Sequence, residues 1–196
     1  MRPLLALLLL AACGDPVPVV PPVTPDRDGG VVISPSAFDG GTCTASITQH
    51  ASTGASHVPQ GTPLTYNSNP PSGGDHYGSW YRWTRTYEPI TRGNYLHNEE
   101  HGGVVLLNPC ASGCDAVTAE LQRIGRALPH DPLCLDEVNA RWLVGRDPEL
   151  PDDIAVAAAA WGWTFTATCV DSAKIQQFID DHYGDAPEAL CFDGTL

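Results

Sequence analysis

The stretch GGVVLLNP (residues 102–109), followed by CDAVTAELQRIGRAL (residues 114–128), decides the fold class. The first segment is a short apolar run bounded by Gly and Pro, which predicts a buried strand. The second has apolar residues at helical spacing, which predicts an amphipathic helix that Asp115 or Ser112 caps. Its apolar face consists of Val117, Leu121, Ile124 and Leu128. A strand that leads directly into a helix indicates a domain of mixed composition.

Further strands and one more helix are predicted downstream. ARWLVGR (residues 140–146) indicates a strand. DIAVAAAAWGWTFTATC (residues 153–169) indicates another strand or a hairpin through Gly162, although its alanine run is also compatible with a helix. DSAKIQQFIDDHY (residues 171–183) predicts a helix, because the Asp-Ser pair at its start can cap it. Its apolar face consists of Ile175, Phe178 and Ile179.

The first half of the domain is irregular. Residues 57–89 are rich in Gly, Pro, Asn and aromatic residues, which favours short strands and long loops. Together with the regular elements downstream, this predicts an α+β domain with a small sheet, helices packed on it and long irregular loops. A thioredoxin-like arrangement in part of the domain remains an open alternative. The folded domain is expected to span residues 42–196.

The N-terminal sequence MRPLLALLLLAACGD predicts an export signal. One basic residue precedes an apolar run that is too short to span a bilayer as a helix. The run ends in Leu-Ala-Ala-Cys, which resembles the lipobox of bacterial lipoproteins, so we expect residues 1–12 to be removed and Cys13 to be lipidated. Residues 13–41 are rich in Pro, Gly and Val and predict a tether. The expected location is the bacterial cell envelope, outside the cytoplasm and lipid-anchored.

Cysteine usage agrees with an oxidising compartment. The chain has seven cysteines, and setting aside Cys13 leaves an even number. Up to three disulfides are therefore expected, although spacing alone does not fix their pairing. Cys110 and Cys114 are close enough in sequence to pair with each other. The candidate residues are Cys43, Cys110, Cys114, Cys134, Cys169 and Cys191.

The chain is strongly acidic. Ten Lys and Arg residues stand against 23 Asp and Glu residues, which gives a formal charge of −13. Such a chain is repelled by nucleic acid and by anionic lipid surfaces, so no nucleic-acid partner is expected. Metal cations or basic partners are compatible with this charge, as is a role of most carboxylates in solubility alone. The lipid anchor would be the contact with the membrane, and the sequence names no protein partner.

Two histidine-containing segments resemble one bacterial family. HVPQGTPLTYNSNPPSGGDHY (residues 57–77) and YLHNEEHGGVVLL (residues 95–107) resemble motifs of the domain of unknown function 3105 family. AWGW and FIDDHYGDAPE resemble its closing elements, so the resemblance covers residues 57–188. Gly73 and Asp75 stand where the family pattern has Ser and Pro. The resemblance implies a folded domain but no activity.

Three histidines and a glutamate predict a metal site. Neutral imidazole is a common ligand for zinc and copper ions, and His76, His97 and His101 would supply three. If residues 97–101 are helical, Glu100 shares a face with His97 and joins the site as a ligand or as an orienting group. If they are extended, Glu99 lies on the histidine side instead. The following glycines predict at most one helical turn.

His57 is a possible fourth ligand of this site. The alternative to metal binding is that the histidines pair with nearby carboxylates and carbonyls and hold the long loops in register.

The sequence HNEEH also matches the His-x-x-Glu-His signature of inverted zinc metalloproteases, in which Glu100 would activate a zinc-bound water. That chemistry requires a long helix, whereas Pro89, Gly93 and Gly102 surround the motif here. A metal-dependent hydrolase is therefore an alternative function, and no independent acid–base pair stands out.

A third hypothesis rests on Cys110 and Cys114, which lie at the junction of the first predicted strand and helix. A Cys-x-x-x-Cys motif at this position resembles thiol-disulfide and copper-delivery proteins, with His182 as a distant third ligand. A purely structural disulfide is the alternative.

The function that the sequence favours is that of a lipoprotein that binds zinc or copper for storage, sensing or delivery. A structural lipoprotein without a metal is the remaining alternative.

Overall fold

The computed structural model describes residues 43–112, 114–135 and 137–196, and ahead of them the backbone of four short strands. These strands are β1 (Thr24–Pro25), β2 (Val31–Ile33), β3 (Ala37–Phe38) and β4 (Gly41–Thr42). The predicted signal peptide, Cys13 and the rest of the predicted tether lie outside the described residues. No helix in the described part of the chain is long and apolar enough to cross a membrane.

Eight strands and three helices follow, which confirms the predicted α+β class. The strands are β5 (Ala45–Gln49), β6 (His57–Val58), β7 (His76–Tyr77), β8 (Arg85–Tyr87), β9 (Val104–Asn108), β10 (Trp142–Arg146), β11 (Val156–Ala160) and β12 (Trp163–Ala167). The helices are α1 (Arg92–Glu100), α2 (Asp115–Arg126) and α3 (Ser172–His182). The main sheet has the order β1-β2-β5-β12-β11-β9-β10-β8, while β3 pairs with β4 and β6 with β7.

Strand β9 lies inside the main sheet, as the run GGVVLLNP predicts. All five of its residues are buried. It pairs in parallel with β10 and antiparallel with β11. The parallel pairing requires a crossover connection, which α2 supplies. Because both faces of β9 are covered, its sequence is continuously apolar rather than alternating.

The two faces of the sheet are covered by different elements. Alternate side chains along β9 point to opposite faces. On one face, α2 and α3 pack over a cluster that includes Val104, Leu106, Leu121, Ile124 and Phe178. On the other face, α1 and the loops pack over a cluster that includes Trp83, Tyr95, Val105, Leu107 and Leu143. The sheet therefore separates α2 and α3 from the histidine-bearing α1.

Helices α2 and α3, which precede and follow the predicted hairpin, begin in different ways. The N-cap of α2 is Cys114, which makes no side-chain capping bond, so the prediction of Asp115 or Ser112 as the cap is wrong. The N-cap of α3 is Asp171, whose carboxylate accepts from the backbone N–H of Lys174 at 3.1 Å, as predicted. Between them, β11 and β12 form the hairpin that the sequence left open against a helix, with a turn at Gly162 whose φ is 80°.

Three disulfides fasten the domain. They are Cys43–Cys169, Cys110–Cys114 and Cys134–Cys191, which confirms that the closely spaced cysteines pair with each other. The first joins the start of β5 to the end of β12, two paired strands. The third joins the C-terminal segment to the loop that follows α2. Each pair thus connects segments that already lie side by side.

Candidate metal centre

Helix α1 is buried although most of its residues are polar. All nine residues from Arg92 to Glu100 are buried, and the helix is longer than the single turn predicted. Most of its polar side chains find partners in the surrounding loops, which the local sequence does not reveal. Arg92 Nε donates to Asp147 Oδ2 at 2.9 Å, and Asn98 Nδ2 donates to the carbonyl of Tyr81 at 2.8 Å.

Gly102 ends this helix in the left-handed conformation. Its φ is 84°, its N–H donates to the carbonyl of Glu99 at 2.8 Å, and the N–H of Gly103 donates to the carbonyl of Asn98 at 3.0 Å. Glycine adopts this conformation without the steric cost that other residues incur. The helix therefore stops just after His101 and turns directly into β9.

The histidine rings cluster at the C-terminal end of α1. His97 and His101 lie on one helical face, with ring centroids 4.6 Å apart. His76 lies on β7, whose parallel pairing with β6 sets it opposite His57. The His97 ring is 5.0 Å from that of His76 and 4.4 Å from that of His57. Three segments distant in sequence thus bring four imidazoles together.

Glu100 is the carboxylate at the centre of this cluster. Its Oε2 lies 3.0 Å from His57 Nε2 and 3.0 Å from His76 Nε2. One ligand atom from each of His57, His76, His97 and Glu100 lies within 4.8 Å of all the others. The segment is therefore helical rather than extended, and Glu100 rather than Glu99 lies beside the histidines.

Hydrogen bonds on the outer ring nitrogens orient two of the histidines. Nδ1 of His76 lies 2.9 Å from the carbonyl of Gly74, and Nδ1 of His97 lies 2.8 Å from the carbonyl of Tyr77. A carbonyl oxygen only accepts, so each Nδ1 carries the proton and donates. In the neutral ring the lone pair is then on Nε2. Histidines that bind metals are commonly held in this way.

Burial and neighbouring charge separate the pKa values in the cluster. Burial, with a contribution from the other histidines, lowers the pKa of His97 to about 4, so this imidazole is neutral at physiological pH. Burial opposes ionisation of Glu100, but hydrogen bonds from His76 and His57 outweigh it and lower its pKa to about 2. Burial would also lower the pKa of His76, yet its bonds to Glu100 and Gly74 raise it above the ordinary value.

His101 belongs to a second, adjoining group. One ligand atom from each of Glu100, His101 and Glu188 lies within 4.8 Å of the others. Nε2 of His101 is 3.2 Å from Glu188 Oε2, while its Nδ1 is buried without a hydrogen-bond partner. The sequence placed His101 with His76 and His97 in one site. In the structure, His57 takes that place in the four-residue group.

Two tryptophans pack around the histidines. The Trp80 ring lies 4.7 Å from that of His97 and 4.9 Å from that of His101. The Trp161 ring lies 6.0 Å from that of His76. The half-buried tryptophan rings cover part of the cluster with apolar surface, and electrostatic interactions are stronger where such surface replaces water.

The spacing of the ligand atoms is compatible with a tetrahedral ion. Two ligands at about 2.0–2.1 Å from zinc lie about 3.3 Å apart in that geometry. The two nitrogen–oxygen distances at Glu100 are 3.0 Å, and the largest separation in the group stays within 4.8 Å. Small side-chain rotations would bring all four atoms to one ion. Three imidazoles and one carboxylate form a donor set that suits zinc or copper.

Glu99 has a different environment from its neighbour Glu100. It is fully buried, and neither carboxylate oxygen has a hydrogen-bond partner. Burial raises its pKa well above the ordinary value for a glutamate. Its side chain is not part of either ligand group.

The cysteine pair and His182 lie in different surroundings. Cys110 and Cys114 are disulfide-bonded and half-buried at the start of α2. His182, at the end of α3, stacks on Trp163 with ring centroids 4.2 Å apart. Among the described residues, neither candidate ligand group contains a cysteine or His182.

Comparison with known proteins identifies the family of this α+β domain with its histidine–carboxylate cluster. The family model described as "Protein of unknown function (DUF3105)" matches residues 57–192. The match covers more than half of the chain, and the chain belongs to this family. It includes every histidine and glutamate of the two ligand groups. No curated protein and no solved structure matches the chain.

Proposed function

We propose that this protein binds a transition-metal ion, zinc or copper, through His57, His76, His97 and Glu100. The observation that carries the proposal is the convergence of four ligand atoms within 4.8 Å of one another from three separate segments. Histidines that served only to hold loops in register would each point to a separate partner. Here His57 and His76 both contact the Glu100 carboxylate, and the His97 ring packs against both of them.

Storage, sensing or delivery of the ion fits this site better than catalysis. In a hydrolase of the His-x-x-Glu-His type, Glu100 would have to remain free to act as a base on bound water. Its Oε2 instead contacts two histidines, which supports a role as a ligand rather than as a free base. The side chain of His57 is 48% exposed, whereas that of His76 is fully buried. An ion can therefore arrive and leave on the His57 side.

The proposed location is the cell envelope. Export and lipidation at Cys13 would place the domain in an oxidising compartment, and its three disulfides are of the kind found there. A lipid-anchored metal-binding protein would hold its ion close to the outer side of a membrane. Mass spectrometry of the protein from its native membranes would detect a diacylated Cys13, and an unprocessed N-terminus would contradict this part of the proposal.

Isothermal titration of the purified full chain with zinc and copper salts tests the binding. The wild-type protein is expected to bind. Loss of a group that only supports a metal ligand weakens binding by about tenfold or more, so His57→Ala, which removes a ligand, is expected to weaken it by more than about tenfold. His57 is exposed, so this variant should fold normally. His130→Ala, an exposed histidine outside both groups, is the matched control. Absence of binding to the wild-type protein would refute the proposal.

A second candidate function is thiol-disulfide exchange at Cys110 and Cys114. Their pairing with each other, half-buried at the N-terminal end of α2, favours it. A redox titration against glutathione distinguishes the two roles. A catalytic pair is reduced near the potential of cellular thiol pools, whereas a structural disulfide resists reduction at that potential.

A further inference from the structure

The geometry points to a second metal ion, bound by His101, Glu188 and Glu100 beside the first, with the Glu100 carboxylate bridging the two ions. The inference rests on the proposed function, because Glu100 belongs to both ligand groups. A carboxylate has two oxygens and can give one to each ion. Carboxylate-bridged ions of this kind lie about 3.5–4 Å apart.

The backbone holds the second group in place. The N–H of Glu188 donates to the carbonyl of Glu100 at 3.0 Å, and the N–H of Gly184 donates to the carbonyl of Gly102 at 3.0 Å. The segment that follows α3 is therefore bonded along the C-terminal end of α1. Glu188 reaches His101 because of this pairing.

The buried ring of His101 gives independent support for a ligand here. Its side chain is only 4% exposed, and Nδ1 has no hydrogen-bond partner. An imidazole in a protein interior normally uses both nitrogens, and a buried polar atom without a partner is destabilising. The Nε2 atom of the same ring lies 3.2 Å from Glu188 Oε2, and the His97 ring lies 4.6 Å away. A buried imidazole with one nitrogen beside a carboxylate and the other without a partner fits the binding of a cation better than the packing of a core.

The donor set also suits a divalent ion. Glu188 and Glu100 supply two negative charges, and His101 supplies a neutral nitrogen donor. Glu188 is 43% exposed at its side chain, so water can complete the coordination sphere. The second group has one histidine and two carboxylates, whereas the first has three histidines and one carboxylate.

The test is metal stoichiometry of the purified full chain. The protein is stripped with a chelator, equilibrated with zinc chloride and dialysed, and the zinc per chain is measured by mass spectrometry. Wild type is expected to hold two ions, and His101→Ala and Glu188→Gln one each. His130→Ala and Glu137→Gln, two exposed positions outside both groups, are matched controls and should hold two. Glu188→Gln decides the question if the buried His101→Ala variant fails to fold.

The outcomes separate this inference from the proposed function. One zinc in the wild type, unchanged in Glu188→Gln, would overturn the second ion and leave the first in place. One zinc that is lost in Glu188→Gln would also overturn it, because the single ion would then sit in the second group. No zinc in any sample would refute the proposed function itself. With copper(II), two coupled ions should reduce the wild-type paramagnetic resonance signal below two spins, while Glu188→Gln should give one full spin.

Discussion

Removal of the disulfide between Cys43 and Cys169 is expected to be the most destabilising of the three possible disulfide deletions. The pair encloses 126 residues, and constraining so long a loop in the unfolded chain stabilises the folded state by about 5 kcal/mol. The same relation gives about 4 kcal/mol for Cys134–Cys191, separated by 57 residues. It gives about 2 kcal/mol for Cys110–Cys114, separated by four.

The folded state should tolerate the loss of the Cys43–Cys169 bond. The bond joins strands that also pair through their backbones, with Ala45 opposite Ala167. Just beyond that pair, the N–H of Thr168 donates to the carbonyl of Thr44 at 3.0 Å. Because these hydrogen bonds remain in the double alanine variant, the change acts mainly on the unfolded chain.

Thermal denaturation of the three double alanine variants, followed by circular dichroism without reductant, measures the effect. At about 2–4 °C per kcal/mol for a chain of this size, the Cys43/Cys169 variant should melt about 10–20 °C below wild type, and the Cys110/Cys114 variant about 4–8 °C below. Equal losses in the two variants would refute the loop-length reasoning. A larger loss for Cys110/Cys114 would show that this short disulfide organises the β9–α2 junction itself.

Three further predictions concern the site and its helix. Zinc at about 100 times its dissociation constant should stabilise the protein by about 2.7 kcal/mol and raise its melting temperature by about 5–10 °C in scanning calorimetry, and a chelator should reverse the shift. Glu99→Met should stabilise the metal-free protein by about 1–3 kcal/mol in urea, because it removes a buried carboxyl group without partners; a loss of stability would show that this carboxyl group has a partner after all. Zinc affinity should fall as the pH is lowered below the raised pKa of His76, by about tenfold per pH unit, because the proton on Nε2 competes with the ion. A calorimetric titration series from pH 8 to pH 5.5 that shows constant affinity would exclude His76 as a ligand.

The regular elements behind the site could be predicted because their signals are local. Strand β9 is a continuous apolar run, and α2 and α3 carry apolar residues at helical spacing. Helix α1 has no such pattern, since its sequence RGNYLHNEE is polar yet fully buried. Arg92 bonds to Asp147, and His97 and Asn98 bond to the Tyr77 and Tyr81 carbonyls. Those partners are distant in sequence, which is why only one helical turn could be expected.

Part of the candidate site could also be predicted, because some of its residues lie close together in sequence. His97 and Glu100 share one segment, and His76 stands out in its Gly-rich loop. His57 stood only as a possible fourth ligand, because a two-residue strand has no pattern that predicts its pairing with β7. Glu188 could not be predicted at all. Its place beside His101 depends on backbone pairing between the C-terminal segment and the end of α1.

Anomalous diffraction at the zinc edge, from crystals of the full chain grown with zinc chloride, tests the central claim most directly. We expect an anomalous peak bonded to Nε2 of His57, His76 and His97 and to the Glu100 carboxylate, with distances of about 2.0–2.2 Å. The direct contacts from Glu100 Oε2 to the His57 and His76 nitrogens, both 3.0 Å, would be replaced by bonds to the ion. No peak at this position, with those contacts unchanged, would contradict the account.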